Sequence, residues 1–184
     1  MPQPHPTTPS GAAEPAWPDE IFQALKAADI RQVSYVPDAG HRRLIELAHG
    51  DSQIETTVLT TEEEGIALAA GAWLGGQRAA MLLQSSGVGN CINMLSLSAS
   101  CRFPLLLLVT MRGEWAEFNP WQVPMGRATA QALEIMGVET HRVETAEAAA
   151  ETVAAAAVMA FEGDRAVAVL LSQRMLGRKI WVEK

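Results

Sequence analysis

Short apolar runs alternate with longer stretches of mixed apolar and polar residues along most of the chain. The apolar runs have the length of buried strands, whereas the mixed stretches repeat apolar positions at helical spacing. Six strands are predicted, over 32–36, 57–60, 79–84, 104–110, 139–143 and 167–171. Helices are predicted over 19–28, 40–49, 90–99, 128–136 and 146–161, with a further helix that begins at Glu62.

This alternation predicts an α/β fold, because strands that are each followed by a helix pair in parallel and are covered on both faces. The run Leu105-Leu106-Leu107-Leu108-Val109 contains no polar position, as expected of a central strand buried on both faces. We therefore expect a three-layer α/β/α architecture with a six-stranded, mainly parallel sheet.

The N-terminal residues 1–18 do not share this pattern. They are rich in proline among small and polar residues, a composition typical of a disordered tail. Residues 19–184 are then expected to form one domain, since a chain of 184 residues is long enough for one full core.

Composition excludes several classes of function. No apolar run reaches the roughly 18 residues that a membrane helix needs, which argues against a membrane partner. The net charge of −7 argues against nucleic acid as a partner, because phosphate contacts need a basic surface.

Cys91 and Cys101 form no CxxC pair, and they predict reduced thiols in a cytoplasmic protein. No histidine has ligand spacing with them, so no metal site is predicted.

Polar residues follow four of the predicted strands. These segments are Val36-Pro37-Asp38, Thr60-Thr61-Glu62, Gln84-Ser85-Ser86-Gly87 and Thr110-Met111-Arg112. Because the carboxyl ends of parallel strands share one edge of the sheet, where α/β proteins bind ligands, the four segments are expected to lie together.

Three consecutive glutamates, Glu62, Glu63 and Glu64, begin one of the predicted helices. Thr61 and Glu64 have the spacing of a capping box, and Glu63 complements the helix dipole. Glu62 is not needed by either device and lies at the strand-to-helix junction. An acidic first turn is also common in ordinary helices, so a purely structural reading stays open.

The segment from Gln84 to Asn90 has the place of a phosphate loop but not its sequence. It lacks the third glycine of a dinucleotide fingerprint and the Gly-Lys-Ser/Thr of a P-loop. It is either a tight turn with a serine cap or a set of hydrogen-bonding groups for a ligand. His41 is either a structural histidine or a group at the rim, by which we mean the edge of the sheet formed by the carboxyl ends of its strands.

A long irregular segment runs from Met111 to about Gly126 and carries aromatic residues between Trp115 and Trp121. Loops of this length in a compact domain are often lids or partner contacts. Arg112 and Arg127 either hold an anionic substrate group or form salt bridges with the loop glutamates.

Together these segments resemble the pyrimidine-binding domain of thiamin-diphosphate-dependent decarboxylases, most closely the α subunit of sulfopyruvate decarboxylase and the matching part of phosphonopyruvate decarboxylase. The resemblance is carried by Val36-Pro37-Asp38, the stretch from Glu62 to Gly71, the stretch from Leu83 to Asn90, Arg112-Gly113-Glu114 and Met125-Gly126-Arg127. In that family the catalytic glutamate precedes a helix glycine by nine residues, and counting back from Gly71 selects Glu62.

The resemblance implies a thiamin-diphosphate enzyme that decarboxylates a small anionic 2-oxo acid, sulfopyruvate or phosphonopyruvate. Glu62 would hydrogen-bond the aminopyrimidine ring of the cofactor. The other implied cofactor contacts are Pro37, Gln84, Ser85, Ser86 and Asn90. His41 would assist proton transfer or contact substrate, and Arg112 and Arg127 would bind the substrate anion.

Nothing in the sequence resembles the Gly-Asp-Gly…Asn segment that holds Mg2+ and the diphosphate in this superfamily. The resemblance therefore implies a β subunit that carries this segment, and a hetero-oligomer. Ala39, Glu63 and Gly65 depart from the family pattern. These departures keep open a carboligase or decarboxylase for another 2-oxo acid, and a non-catalytic regulatory subunit.

Overall fold

The computed structural model describes residues 16–178, in which six strands pair into one sheet. The strands are β1 (Ile30–Tyr35), β2 (Glu55–Val58), β3 (Arg78–Gln84), β4 (Leu105–Thr110), β5 (Glu139–Val143) and β6 (Ala166–Leu171). Their order across the sheet is β2-β1-β3-β4-β6-β5, and every pairing is parallel. The predicted six-stranded α/β fold is confirmed.

Eight α-helices connect and cover these strands within the described residues. They are α1 (Trp17–Ala27), α2 (Arg42–Gly50), α3 (Glu63–Leu74), α4 (Ser85–Cys91), α5 (Leu95–Cys101), α6 (Val123–Ile135), α7 (Ala149–Phe161) and α8 (Gln173–Leu176). Helices α1, α2 and α7 bury their apolar residues against one face of the sheet, and α3 to α6 bury theirs against the other.

Strand β4 shows how the sequence produces this three-layer arrangement. All six of its residues are buried. Leu106 and Leu108 belong to the core beneath α1 and α7, whereas Leu105, Leu107 and Val109 belong to the opposite core. Side chains of a strand alternate between faces, so a strand that is covered on both faces is apolar along its length, and its one polar residue, Thr110, stands at the carboxyl end.

The folded part begins earlier than the sequence indicates. Trp17 and Pro18, assigned above to the tail, are the first residues of α1 and are both buried. Proline suits the first turn of a helix, where its missing N–H is not needed. Trp17 packs into the core of the α1 face. Residues 1–15 of the expected tail lie outside the described residues.

The glycine-rich segment after β3 is helical, which corrects the expectation of a turn. Helix α4 includes both Gly87 and Gly89, although glycine is a poor helix former. The two glycines face close neighbours: a Cβ at Gly89 would lie 3.3 Å from Met125 Sδ, and one at Gly87 would overlap Glu62. Tertiary contacts therefore outweigh the local preference of these residues.

Two helical glycines give opposite predictions for alanine substitution. A Cβ at Gly126 in α6 would lie 1.9 Å from the Arg112 carbonyl oxygen, whereas one at Gly71 in α3 would meet nothing within 4 Å. We expect Gly126→Ala to lower the free energy of unfolding by about 1–3 kcal/mol, because backbone cannot move aside cheaply. Gly71→Ala should raise it by about 0.5–1 kcal/mol. Urea unfolding of the full chain measures both, and equal effects would contradict the packing described.

Candidate functional site

The carboxyl ends of β1 and β3 form the centre of the candidate site. From β1 the chain passes to β2 on one side and then crosses to β3 on the other, so the order of strands reverses between β1 and β3. In open parallel sheets, ligands bind in the crevice at such a switch point. Asp38 follows β1 and Gln84 ends β3, and their side chains meet there, with 2.7 Å between Gln84 Nε2 and Asp38 Oδ1.

Glu62 lies immediately before α3, with its side chain turned toward α4. Its Oε2 accepts a hydrogen bond of 2.7 Å from Asn90 Nδ2. A Cβ at Gly87 would stand 2.3 Å from Glu62 Oε1. The carboxylate thus lies directly on the bare backbone of α4, in a place that any residue other than glycine would occupy with its own side chain.

The two oxygens of Glu62 have different surroundings. Oε2 is held by Asn90, whereas no residue from 16 to 178 makes a hydrogen bond to Oε1. The side chain is only partly exposed. One oxygen is therefore fixed by the protein and the other is open to a ligand that carries an N–H or O–H donor.

The neighbouring glutamates serve the start of the helix. Glu64 Oε2 accepts from the backbone N–H of Thr60 at 2.8 Å, and Thr61 Oγ1 donates to Glu63 Oε2 at 2.9 Å. The expected capping box is wrong in both partners: the Thr61 hydroxyl donates to Glu63 instead of accepting from the Glu64 N–H, and Glu64 accepts from the N–H of Thr60 instead of that of Thr61. Glu62 nevertheless differs from its two acidic neighbours, because they bind residues that precede α3 whereas Glu62 binds Asn90 of α4.

The buried thiol of Cys91 lies near the carboxylates of Glu62 and Glu63. Burial, together with the nearby carboxylates of Glu62 and Glu63, raises the pKa of Cys91 to about 12. Cys91 and Cys101 are both free, and Cys101 is exposed. The thiol of Cys91 is held protonated at neutral pH and is a poor nucleophile.

Asp38 accepts hydrogen bonds from three different segments of the chain. Gln84 Nε2 donates to Oδ1 at 2.7 Å, and Oδ2 accepts from Thr110 Oγ1 at 2.6 Å and from the Gly40 N–H at 3.1 Å. Ser86 Oγ then donates to Gln84 Oε1 at 3.0 Å. We call this set of side chains the Asp38 hub. Thr110 belongs to one of the four segments expected at this edge from the sequence, and the register of β3 with β4 brings it to Asp38.

Ser85 is fully buried and has structural partners. Its hydroxyl oxygen accepts from the Arg112 N–H at 3.0 Å, and its carbonyl accepts from Thr129 Oγ1 at 3.4 Å. The residue therefore joins α4 to the segment after β4 and to α6. This environment gives Ser85 no open polar atom for a cofactor, unlike its neighbour Ser86.

His41 is also buried, with 1% of its surface exposed. Its Nε2 lies 3.0 Å from the Leu108 carbonyl oxygen and donates to it. Burial lowers the pKa of His41, although the nearby Asp38 carboxylate opposes this. The ring is neutral and packed beneath the rim, so we assign it a structural role and no contact with substrate.

Arg112 is committed to an ion pair within the long loop. Its Nε and Nη2 donate to the two oxygens of Glu117, both at 2.6 Å, and both side chains are nearly buried. Of the two alternatives for Arg112, the structure shows the salt bridge with a loop glutamate. The guanidinium also lies 5.8 Å from the Phe118 ring.

Glu117 and Gln173 anchor the loop to the rest of the domain. Glu117 also accepts from the N–H groups of Gly113 and Asn119, and from Gln173 Nε2 at 2.9 Å. Gln173 Oε1 in turn accepts from the N–H groups of Glu114 and Trp115. The hydrogen bond from Arg112 is the main reason why the pKa of Glu117 falls to about 2. Sequence reasoning missed Gln173, whose partners are distant along the chain.

The remaining predicted site residues are at the surface. Pro37, Asn90 and Arg127 are exposed, and Arg127 has no ion pair with any residue from 16 to 178. Trp115, Phe118 and Trp121 expose 39%, 46% and 84% of their surface. The anchored loop thus presents aromatic side chains outward.

The described residues contain neither a cluster of metal ligands nor a membrane-spanning helix. Between residues 16 and 178 no three His, Cys, Asp or Glu side chains are grouped so as to hold a metal ion. Over the same part of the chain, no helix has both the length and the apolar character required to cross a membrane.

The buried ion pair yields a test by substitution and pH. Glu117→Gln leaves the Arg112 charge buried without its partner, and should lower the free energy of unfolding at pH 7 by about 3–5 kcal/mol. Because the folded pKa of Glu117 is about 2 and its ordinary value is 4.5, the wild-type advantage should be complete above pH 5 and shrink as the pH falls toward 2. Urea unfolding across this range measures the difference.

Glu144→Gln is the matched control, because Glu144 pairs with Arg142 at an exposed position. Exposed pairs contribute about 0–1 kcal/mol. A Glu117→Gln variant that loses no more stability than Glu144→Gln would contradict the assignment.

The chain is similar to known proteins both in sequence and in fold. No family model matches the chain. The sulfopyruvate decarboxylase subunit alpha of Methanocaldococcus jannaschii is 38% identical over 70% of this chain and 77% of that protein. The same subunit of Methanothermobacter thermautotrophicus is 35% identical over 83% and 93%, respectively. A phosphonopyruvate decarboxylase of Streptomyces viridochromogenes is 34% identical over 65% of this chain, but over 31% of that protein.

A solved structure supports the fold. The 2-oxoglutarate:ferredoxin oxidoreductase of Magnetococcus marinus superposes with a TM-score of 0.71 at 16% identity, covering 87% of this chain and 29% of that chain. At this identity the likeness concerns the fold alone. The α-subunit relatives, in contrast, are more than 30% identical along most of their length. The chain therefore belongs to the family of sulfopyruvate decarboxylase α subunits, and this is a family of decarboxylases.

Proposed function

We propose that this chain is the α subunit of a two-chain decarboxylase that uses thiamin diphosphate and acts on sulfopyruvate. The family supports the reaction class, and the position of Glu62 supports the cofactor. The single observation that carries the proposal is the Glu62 carboxylate, with one oxygen held by Asn90 and the other open at the rim.

The residues of the rim fit the aminopyrimidine part of this cofactor. A ring nitrogen that shares a proton with a carboxylate needs a fixed oxygen at the edge of a crevice, and Glu62 Oε1 is such an oxygen. Gly87 leaves the space in which the carboxylate lies. Pro37 and Ser86 are at the ends of the two strands that border the crevice, and they would line the same side of the cofactor.

When bound, thiamin diphosphate supplies the nucleophilic carbon and the electron sink that the loss of CO2 from a 2-oxo acid requires. The task of Glu62 is to hold a proton between Oε1 and the ring nitrogen. Asn90 orients the carboxylate for this task through its hydrogen bond to Oε2. The glutamate thus manages a proton, while Asn90 and Gly87 keep its geometry.

A second chain would hold the diphosphate and Mg2+. The relatives that match along most of their length are named α subunits, which supports a partner subunit. The match covers 31% of the phosphonopyruvate decarboxylase, and we propose that the β subunit corresponds to a further part of such an enzyme. The outward aromatic residues of the anchored loop, above all Trp121, suit a contact with that subunit.

Arg127 is the cation we propose for the substrate anion. Arg112 is occupied by Glu117, but Arg127 is exposed near the start of α6 and has no ion pair among the described residues. A sulfonate and a phosphonate both accept hydrogen bonds from a guanidinium. Phosphonopyruvate is the second candidate substrate, because a phosphonopyruvate decarboxylase is also among the relatives.

Glu62→Gln tests the proton relay. The variant keeps the hydrogen-bonding shape but cannot exchange a proton, so kcat should fall about 10²- to 10⁴-fold. The measurement is sulfopyruvate decarboxylation by the chain co-expressed with its β subunit, in the presence of thiamin diphosphate and Mg2+. Glu63→Gln and Glu64→Gln are the controls, since those residues serve the helix start. Full activity in Glu62→Gln would refute the mechanism.

Gly87→Ala tests the geometry without removing the glutamate. Its Cβ would force the carboxylate away and separate it from Asn90, so kcat should fall at least about tenfold, since misplaced catalytic groups lose rate steeply. Gly89→Ala is the matched control in the same helix, because its Cβ would meet only the flexible Met125 side chain at 3.3 Å. The same assay compares the two variants. Equal kcat values for both would show that the place of Glu62 on α4 is unimportant.

A further inference from the structure

The Asp38 hub controls which hydrogen-bonding group Ser86 offers at the rim. We propose that Asp38 is a positioning residue: it fixes the amide of Gln84 so that the Ser86 oxygen faces the cofactor crevice as a hydrogen-bond acceptor only. This inference rests on the proposed function for the identity of the ligand. The chain of hydrogen bonds itself does not depend on that function.

The first step is the direction of the Gln84 amide. An ionised carboxylate has no hydrogen to donate, and both oxygens of Asp38 accept. Thr110 and the Gly40 N–H occupy Oδ2, and the Gln84 side chain occupies Oδ1 at 2.7 Å. Gln84 must therefore point its NH2 group at Asp38, and its carbonyl oxygen points the other way.

The second step is the direction of the Ser86 hydroxyl. Gln84 Oε1 can only accept, and it lies 3.0 Å from Ser86 Oγ. A serine hydroxyl has one hydrogen, and this hydrogen is used in that bond. What remains on Ser86 are the lone pairs of its oxygen, and they can receive a donor from a ligand.

The hub is closely packed, so Asp38 has little freedom to turn. A Cβ at Gly40 would lie 2.8 Å from Thr110 Cγ2 and 2.9 Å from Asp38 Oδ2. Thr110 is 1% exposed. A carboxylate held by donors from β3, β4 and the turn after β1 keeps its orientation, and it transmits that orientation to Gln84.

The rim consequently offers acceptors at two adjacent places. Ser86 is partly exposed and precedes Gly87, on whose backbone the Glu62 carboxylate lies. Ser86 Oγ and Glu62 Oε1 can each accept a hydrogen bond from a donor on a ligand. The ligand chemistry that matches this pair is a group with N–H or O–H donors, such as an amino-substituted heterocycle, and a group with acceptors only would be rejected.

Asp38→Asn tests the relay by reversing it. To keep Thr110 and Gly40 as donors, the new amide must turn its NH2 group toward Gln84. Gln84 then turns over and donates to Ser86, whose hydrogen is directed outward. The holoenzyme with its β subunit should lose about three- to tenfold in apparent affinity for thiamin diphosphate, as expected for one lost hydrogen bond.

Ser86→Ala should lose affinity for the same ligand, and the double variant should lose no more than Asp38→Asn alone. Thr110→Val is the matched control, because it removes a donor from Asp38 but leaves the Gln84 amide in place. In a Thr110→Val protein, Ser86→Ala should therefore lower the apparent affinity for thiamin diphosphate by the same factor as it does in the wild type. Additive losses in the Asp38→Asn background would overturn the proposal.

An NMR measurement on the full chain separates this inference from the proposed function. One side-chain NH2 proton of Gln84 should be shifted downfield by the Asp38 carboxylate in the wild type and in Thr110→Val, and should lose that shift in Asp38→Asn. An unchanged Gln84 signal in Asp38→Asn refutes the relay. A wild-type holoenzyme that binds no thiamin diphosphate, but shows the expected Gln84 shifts, refutes the proposed function and leaves the relay standing.

Discussion

The register between β3 and β4 is the constraint on which the rim depends. It places Gln84 directly beside Thr110 at the last position of both strands. Asp38, which follows β1 by a few residues, can then accept from both side chains at once. A shift of one residue in either strand would turn one of these side chains to the other face of the sheet. The hub is thus a direct consequence of strand pairing.

The long loop after β4 is fixed by groups that carry charge. Arg112 and Glu117 close it on itself, while Gln173 ties it to α8 and Glu114 ties it to Arg142 of β5. A loop that was expected to be a lid or a partner surface is therefore anchored at several points along its length. The backbone that carries its aromatic side chains is therefore ordered before any contact is made, which lowers the entropic cost of such a contact.

The sequence was sufficient for the sheet because the strands are short apolar runs whose burial decides their structure. The prediction for β5 agrees with the observed limits of Glu139–Val143, and β4 differs by one residue at its start. Helix α4 could not be predicted, since its glycines are poor helix formers and are required by partners elsewhere in the chain. Local preference gives no information on such contacts.

The same distinction applies to the site. Glu62 was separable from its neighbours because capping left it unexplained, and the structure gives each of the three glutamates a different partner. For Arg112 and His41 the sequence left a structural role and a ligand contact both open, and for Ser85 the resemblance implied a cofactor contact, because residue type and spacing do not reveal burial. Ser85 and His41 have partners that are distant along the chain, the Thr129 hydroxyl on α6 and the Leu108 carbonyl, whereas Arg112 pairs with Glu117 in its own loop.

The contact between Gly87 and Glu62 also bears on how this family can diverge. The three atoms nearest to a Cβ at position 87 all belong to Glu62, so the glycine is required while that long side chain lies across it. A descendant that replaces Glu62 with a short residue removes this obstacle, and a larger residue at position 87 then prevents the return of the glutamate. Loss of the acid is therefore hard to reverse, and the pair of positions together records whether a homologue can still hold a glutamate against α4.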